Sequence, residues 1–167
     1  MHASSCPGTP ECCRQLATLL LHNKAKLATA ESCTGGLIAA ACTDLSGSSD
    51  WFERGFVSYS NEAKSTMLGV EPQLIARHGA VSEAVARAMA QGALQQSRAQ
   101  VALAVTGVAG PTGGSADKPV GTVWLAWALP SGVTSELQHF AGDRAAVRAA
   151  TVQHALVRLL ALLKEQP

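Results

Sequence analysis

Residues 28–36 read ATAESCTGG and run directly into the apolar stretch LIAAAC at 37–42. A short apolar strand stops on a polar cluster, turns through two glycines and continues as a helix. Such a strand-to-helix handover, where it alternates with others along a chain, points to an α/β fold. The handover also puts Ser32 where a helix begins. The first turn of a helix carries unpaired backbone N–H groups and the positive end of the helix dipole. A hydroxyl there can face an oxyanion hole, and an anion can be held there directly. A plain N-cap serine is the simpler alternative.

The rest of the chain extends the pattern. Residues 1–8 read as a loose tail and 9–165 as one domain. Thr9, Pro10 and Glu11 give a helix start, with a capping hydroxyl, Pro at N1 and an acid in the first turn. Leu16, Leu19 and Leu20 line its face up to about Asn23. The first strand covers 27–30, the next helix 35–45, and 47–50 is a turn. A second strand is expected over 52–60. Asn61 is the expected cap of a short helix to Leu68, with Gly69 at its C′ position. Pro72 opens another short helix ending near His78, and Ser82 caps a longer one with Val85, Ala86, Met89, Ala90, Ala93 and Leu94 at helical spacing.

Residues 101–105 form a wholly apolar strand, followed by the loop TGVAGPTGGS at 106–115. Segments 120–129 and 133–140 flank Pro130, Ser131 and Gly132 as a β-hairpin. Gly142 or Asp143 begins a terminal helix to about Leu163, with Val147, Ala150, Ala155, Leu156, Leu159 and Leu160 inward. Strands interleaved with helices predict a three-layer α/β/α domain with a mixed, mostly parallel sheet. Ligands in such sheets bind beyond the carboxyl ends of the strands. Three polar segments, beginning at Ser32, Tyr59 and Thr106, stand at those ends.

Composition closes off several classes. The 167 residues are 47% hydrophobic and 15% charged, which excludes a disordered chain. The net charge is +1 with no Lys/Arg run, so nucleic acid is not an expected partner. No apolar stretch of ~18 residues is free of polar breaks, so no membrane span is expected. The N-terminus lacks the pattern of a secretory signal. The five cysteines, at 6, 12, 13, 33 and 42, match no zinc spacing and read as small buried thiols in a reducing cytoplasm.

A serine nucleophile needs a base. His2, His22, His78, His139 and His154 all fall at positions better suited to solvated or packed histidines. Lys64 is the alternative. With Asn61 as N-cap it occupies N3, where the helix dipole and partial burial both lower a lysine pKa. Glu62 opposes this if it points the same way. Tyr59 can relay a proton or position a substrate. A solvated lysine and an edge aromatic are the simpler readings of both. The loop 106–115 can present N–H groups to a phosphate or carboxylate, yet it has neither a P-loop ending nor a Rossmann spacing. Glu31 is a rim acid or a ligand contact, although strand alternation aims it away from its neighbours. Arg144 can reach a phosphate or pair with a surface acid.

Six segments, AESCTGG (30–36), VSYSNEAK (57–64), GAVS (79–82), AVTGVAGPTGG (104–114), PVGTV (119–123) and FAGDR (140–144), stand in order. Together they closely resemble the CinA C-terminal domain family over about residues 10–163. That resemblance implies an amidohydrolase of nicotinamide mononucleotide, releasing nicotinic acid mononucleotide and ammonia without metal or organic cofactor. Carried over by motif, Ser32 is the nucleophile, Lys64 its base and Tyr59 a supporting group. Thr34, Gly35 and Gly36 belong to the oxyanion and substrate pocket. Glu31, Asn61, Thr106, Gly107, Gly110, Pro111, Gly113 and Gly114 are expected at the nucleotide, and Arg144 at its phosphate. A non-catalytic nucleotide-binding module, a structural partner subunit and an amidase for another amide are the rival readings. The apolar helix surface is compatible with a homo-oligomer such as a dimer.

Overall fold

The apolar strand at 101–105 alternates large and small side chains, and this alternation sorts the molecule into layers. In the computed structural model, which describes residues 6–167, five strands form one sheet in the order β2-β1-β3-β4-β5. They are β1 (Leu27–Glu31), β2 (Phe52–Val57), β3 (Val101–Gly107), β4 (Thr122–Leu129) and β5 (Gly132–His139). Leu27, Leu103, Val105, Leu125 and Trp127 face one side, where α1 (Thr9–His22), α2 (Leu37–Thr43) and α6 (Arg144–Lys164) cover them. Ala28, Ala30, Ala102, Ala104, Ala126 and Ala128 face the other. Methyl side chains there let α5 (Glu83–Gln95) lie close to the sheet, flanked by α3 (Asn61–Leu68) and α4 (Pro72–His78). Each large side chain withdrawn from water contributes about 1.5–3 kcal/mol.

β1 pairs in parallel with β2 and β3, whereas β3–β4 and β4–β5 are antiparallel. The three-layer mixed sheet matches the expectation, with the parallel share confined to half of the strand pairs. In register, Glu31 stands beside both Val57 and Val105. The next residues, Ser32, Ser58 and Thr106, therefore leave the sheet side by side at one rim.

Local boundaries differ from the sequence reading where two caps competed. Gly8, not Thr9, is the N-cap of α1, and the Thr9 hydroxyl instead bonds Gln153 of α6. Ser60, not Asn61, caps α3 by accepting from the Ala63 N–H. Of the expected tail, residues 1–5, with His2, lie outside the described residues, while the Pro7 carbonyl accepts from the Gln153 side chain. Ser82 and Asp143 cap α5 and α6 as read. One helix departs from the expectation of no membrane span. By length and composition α6 could cross a bilayer, at a mean hydropathy of 1.3. Its Leu156, Leu159, Leu160 and Leu163 are buried against the sheet and α1, which accounts for that composition.

Candidate active site

Ser32 follows directly from β1, its N–H donating to the Val105 carbonyl at 3.1 Å. The turn then closes with the Gly35 N–H on the Ser32 carbonyl, 3.0 Å away. Gly36 is the N-cap of α2 at φ 106°, a left-handed conformation natural to glycine. It offers no side chain to the helix, so α2 takes its cap from elsewhere. The buried Glu31 carboxylate accepts from Ile38 N–H at 2.8 Å, Ala39 N–H at 3.0 Å and the Thr34 hydroxyl at 2.6 Å.

This revises the expected anion site. The first-turn N–H groups of Ile38 and Ala39 are already held by Glu31, and Glu31 faces α2 instead of the cavity. The amides of Cys33 and Thr34, ahead of the helix, have no acceptor among the described residues, and of the two it is Cys33 that borders the cavity, so its amide is the donor placed for an oxyanion.

Lys64 enters from α3, one turn past the Ser60 cap, as N4 and not the expected N3. Helical side chains lean toward the N-terminus, which sends its amine back over the end of β2. There Nζ lies 3.1 Å from Ser32 Oγ, 3.3 Å from the Ser58 carbonyl and 3.1 Å from the Tyr59 carbonyl. Lys64 is 1% exposed and makes no ion pair among the described residues. Burial holds its pKa below the ordinary lysine value, outweighing the opposing effect of Cys33. Glu62 is exposed and does not pair with it.

A neutral amine has two N–H bonds and one lone pair. With the two carbonyls on its N–H bonds, the lone pair of a neutral Lys64 faces the Ser32 hydroxyl, whose other acceptor is the Tyr59 carbonyl at 3.5 Å. The geometry therefore suits a base. Cys33, next along the chain, is pushed up to about 11 by burial, so its thiol stays protonated near neutral pH.

Ser32, Cys33, Asn61 and Lys64 open onto a cavity of about 360 Å³. Thr106, Gly107, Gly110, Gly113, Tyr59 and Arg144 also border it, as do Ala80 and Val81 of the GAVS segment. Thr106 donates its hydroxyl proton to the Ala80 carbonyl at 2.9 Å, joining those two walls. Tyr59 touches the serine–lysine pair through its backbone carbonyl, whereas its phenol, 57% exposed as a residue, accepts from Arg144 Nη2 at 3.1 Å. Arg144 Nη1 also donates to the Gly110 carbonyl at 2.8 Å. Thr34, Gly35, Gly36 and Gly114 do not border the cavity, and Pro111 borders the neighbouring hollow beyond Arg144. No histidine borders it among the described residues. Nor does any group of three His, Cys, Asp or Glu side chains there stand close enough to hold a metal.

Arg148 was not singled out from sequence. Its Nε donates to the Cys33 carbonyl and its Nη2 to the Thr34 carbonyl, each at 3.2 Å. The available signal was its place one turn beyond Arg144 on the same helix face. Ser58 was also missed. Its hydroxyl is buried without a partner among the described residues, and its carbonyl supports Lys64.

A three-layer α/β/α domain whose parallel rim pairs a serine with a buried, unshared lysine has the layout of an acyl-transfer hydrolase. The chain belongs to the CinA C-terminal domain family, whose sequence model matches residues 11–163. It is 52% identical over 146 residues to the nicotinamide-nucleotide amidohydrolase PncC of Escherichia coli K12, covering 87% of this chain and 88% of that one. It is 57% identical over 138 residues to the PncC of Pseudomonas putida, covering 83% and 86%. The crystal structure of the competence/damage inducible protein CihA from Agrobacterium tumefaciens superposes with a TM-score of 0.91 at 47% identity, covering 97% of this chain and 99% of that one.

Proposed function

We propose that this protein hydrolyses the carboxamide of nicotinamide mononucleotide to nicotinic acid mononucleotide and ammonia. The observation that carries the reading is the 3.1 Å contact between Ser32 Oγ and the buried amine of Lys64. The names of the relatives supply the substrate class. Neutral Lys64 takes the Ser32 proton as the hydroxyl attacks the carboxamide carbon. The free amide of Cys33 receives the oxyanion, and loss of one such donor typically costs ~10²–10³ in rate. Lys64 returns the proton to departing ammonia. Water, deprotonated by the same amine, then resolves the acyl-enzyme.

Arg144 takes the phosphate in this reading. It retains N–H donors beyond those to Gly110 and Tyr59 and lies between the cavity and the neighbouring hollow. Tyr59 positions substrate by way of Arg144. The loop from Thr106 to Gly113 offers its backbone to the nucleotide.

Residence in the cytoplasm belongs to the same proposal, supported by four thiols packed as small buried side chains. So does a homo-oligomer, supported by the exposed apolar side chains of Leu37, Val57 and Tyr59.

The test is ammonia release from nicotinamide mononucleotide by the wild type beside Ser32→Ala. The wild type is expected to release ammonia and the variant to lose at least ~10⁴-fold in kcat while still binding the nucleotide. Equal turnover by both would remove Ser32 from the mechanism. Nucleotide binding without release by either would make the domain a binding module.

A further inference from the structure

Arg144 and Arg148 stand one turn apart at the start of α6, yet they hold three separate rim segments. Arg144 bonds the Tyr59 hydroxyl and the Gly110 carbonyl. Arg148 bonds the Cys33 and Thr34 carbonyls. Neither arginine has an acidic partner among the described residues, and Arg144 sits at the end of the helix where a cation is unfavourable. Two guanidiniums whose bonds all go to backbone carbonyls and one phenol at the site rim point to a functional demand.

We propose that Arg148 is the positioning residue of the nucleophile turn, an inference that rests on the amidase reading of Ser32 and Lys64. The turn from Ser32 to Gly35 is closed by a single backbone hydrogen bond, and its middle peptide joins Cys33 to Thr34. The bond from Arg148 Nε to the Cys33 carbonyl fixes the plane of that peptide. The bond from Nη2 to the Thr34 carbonyl holds the next peptide, so both ends of the turn beyond Cys33 are fixed. Arg148 thus holds from behind the turn that carries Ser32 and the Cys33 amide, without bordering the catalytic cavity.

Its planar fork reaches two successive carbonyls, which an ammonium at the end of a lysine cannot match. Gly35 fits this arrangement: it sits at φ 59°, and a Cβ there would come within 3.5 Å of Arg148 Nη2.

The experiment compares wild type, Arg148→Met and Arg148→Lys for ammonia release and for the rate at which phenylmethylsulfonyl fluoride labels Ser32, followed by mass spectrometry. For Arg148→Met, kcat is expected to fall by ~10²-fold, the size of effect produced by a small misplacement of reacting groups. KM should stay within about threefold, labelling should slow in parallel, and added guanidinium ion should restore part of the rate. Arg148→Lys should recover less than guanidinium does. An unchanged kcat would overturn the proposal, as would a raised KM at normal kcat, which would make Arg148 a substrate contact. Loss of the folded circular dichroism spectrum by both variants would also overturn it, since the role would then be structural. A wild type that releases no ammonia would instead sink the amidase reading, and unequal labelling of Ser32 between wild type and Arg148→Met would still uphold the positioning role, equal labelling overturn it.

Discussion

In the proposed mechanism Lys64 serves as a base at the expense of stability. A buried amine with three oxygen contacts and no carboxylate is poorly compensated as a cation. Its folded pKa lies below the ordinary value of 10.5. Between that folded pKa and 10.5 the unfolded chain binds the extra proton, so this group makes stability rise with pH across the window and imposes its full penalty below it. Activity should follow the same titration, since kcat/KM rises as the amine loses its proton. Lys64→Met removes both effects. We expect the variant to lose most turnover, to melt higher than wild type at pH 7 and to show a Tm that rises less with pH than wild type's across that window. Each kcal/mol relieved corresponds to roughly 2–4 °C in a domain of this size. Thermal melts of both proteins at several pH values measure this, and a lower Tm for the variant would contradict the argument.

At the scale of the element, α2 depends on a residue outside it. Glu31 belongs to β1, yet its two carboxylate oxygens cap the helix that follows. Glu31→Gln replaces one oxygen by an NH₂ group that meets an N–H donor in either orientation. The expected cost is about 1–3 kcal/mol, the penalty for a buried group left without its partner. Urea midpoints would register the loss, and ammonia release should drop with it because the nucleophile turn lies between Glu31 and α2. An unchanged midpoint would mean that α2 is capped by other means.

The same element shows what was legible in the sequence. Strand, glycine turn and helix were readable from residues 27–42 because each signal is local. Ser32 and Lys64 were readable as candidates because strand ends gather at one rim. The cap was hidden because its donors lie seven and eight residues along, beyond two glycines. Ser60 and Asn61 are comparable caps by type, and the extended ψ of 162° imposed by the exit from β2 chose Ser60. Arg148 was invisible because its contacts span 114 and 115 residues.

For the whole molecule, the parallel half of the sheet bears the site and the antiparallel half holds the helix that completes it. The β4–β5 hairpin anchors α6 through Trp127, whose Nε1 donates to the Ala155 carbonyl at 3.0 Å. It does so again through Glu136, which accepts from Arg158 Nε at 2.6 Å and lies 2.9 Å from His154 Nε2. Partial burial opposes ionisation of Glu136, but the hydrogen bonds from His154 and Arg158 outweigh it and hold the carboxyl below 4.5. Because this folded pKa is depressed, its contribution is complete above the unfolded carboxyl value and disappears as pH falls through the folded one. Glu136→Gln should therefore melt below wild type at pH 7, and the two curves should converge in acid. Turnover at neutral pH should stay near wild type, because the tie lies about two to four turns along α6 from Arg148 and Arg144. A Tm difference that persists undiminished into acid would show that the contact acts by packing and not by charge, while a fall in kcat at full stability would extend the bracket of α6 from its first turns to the hairpin itself.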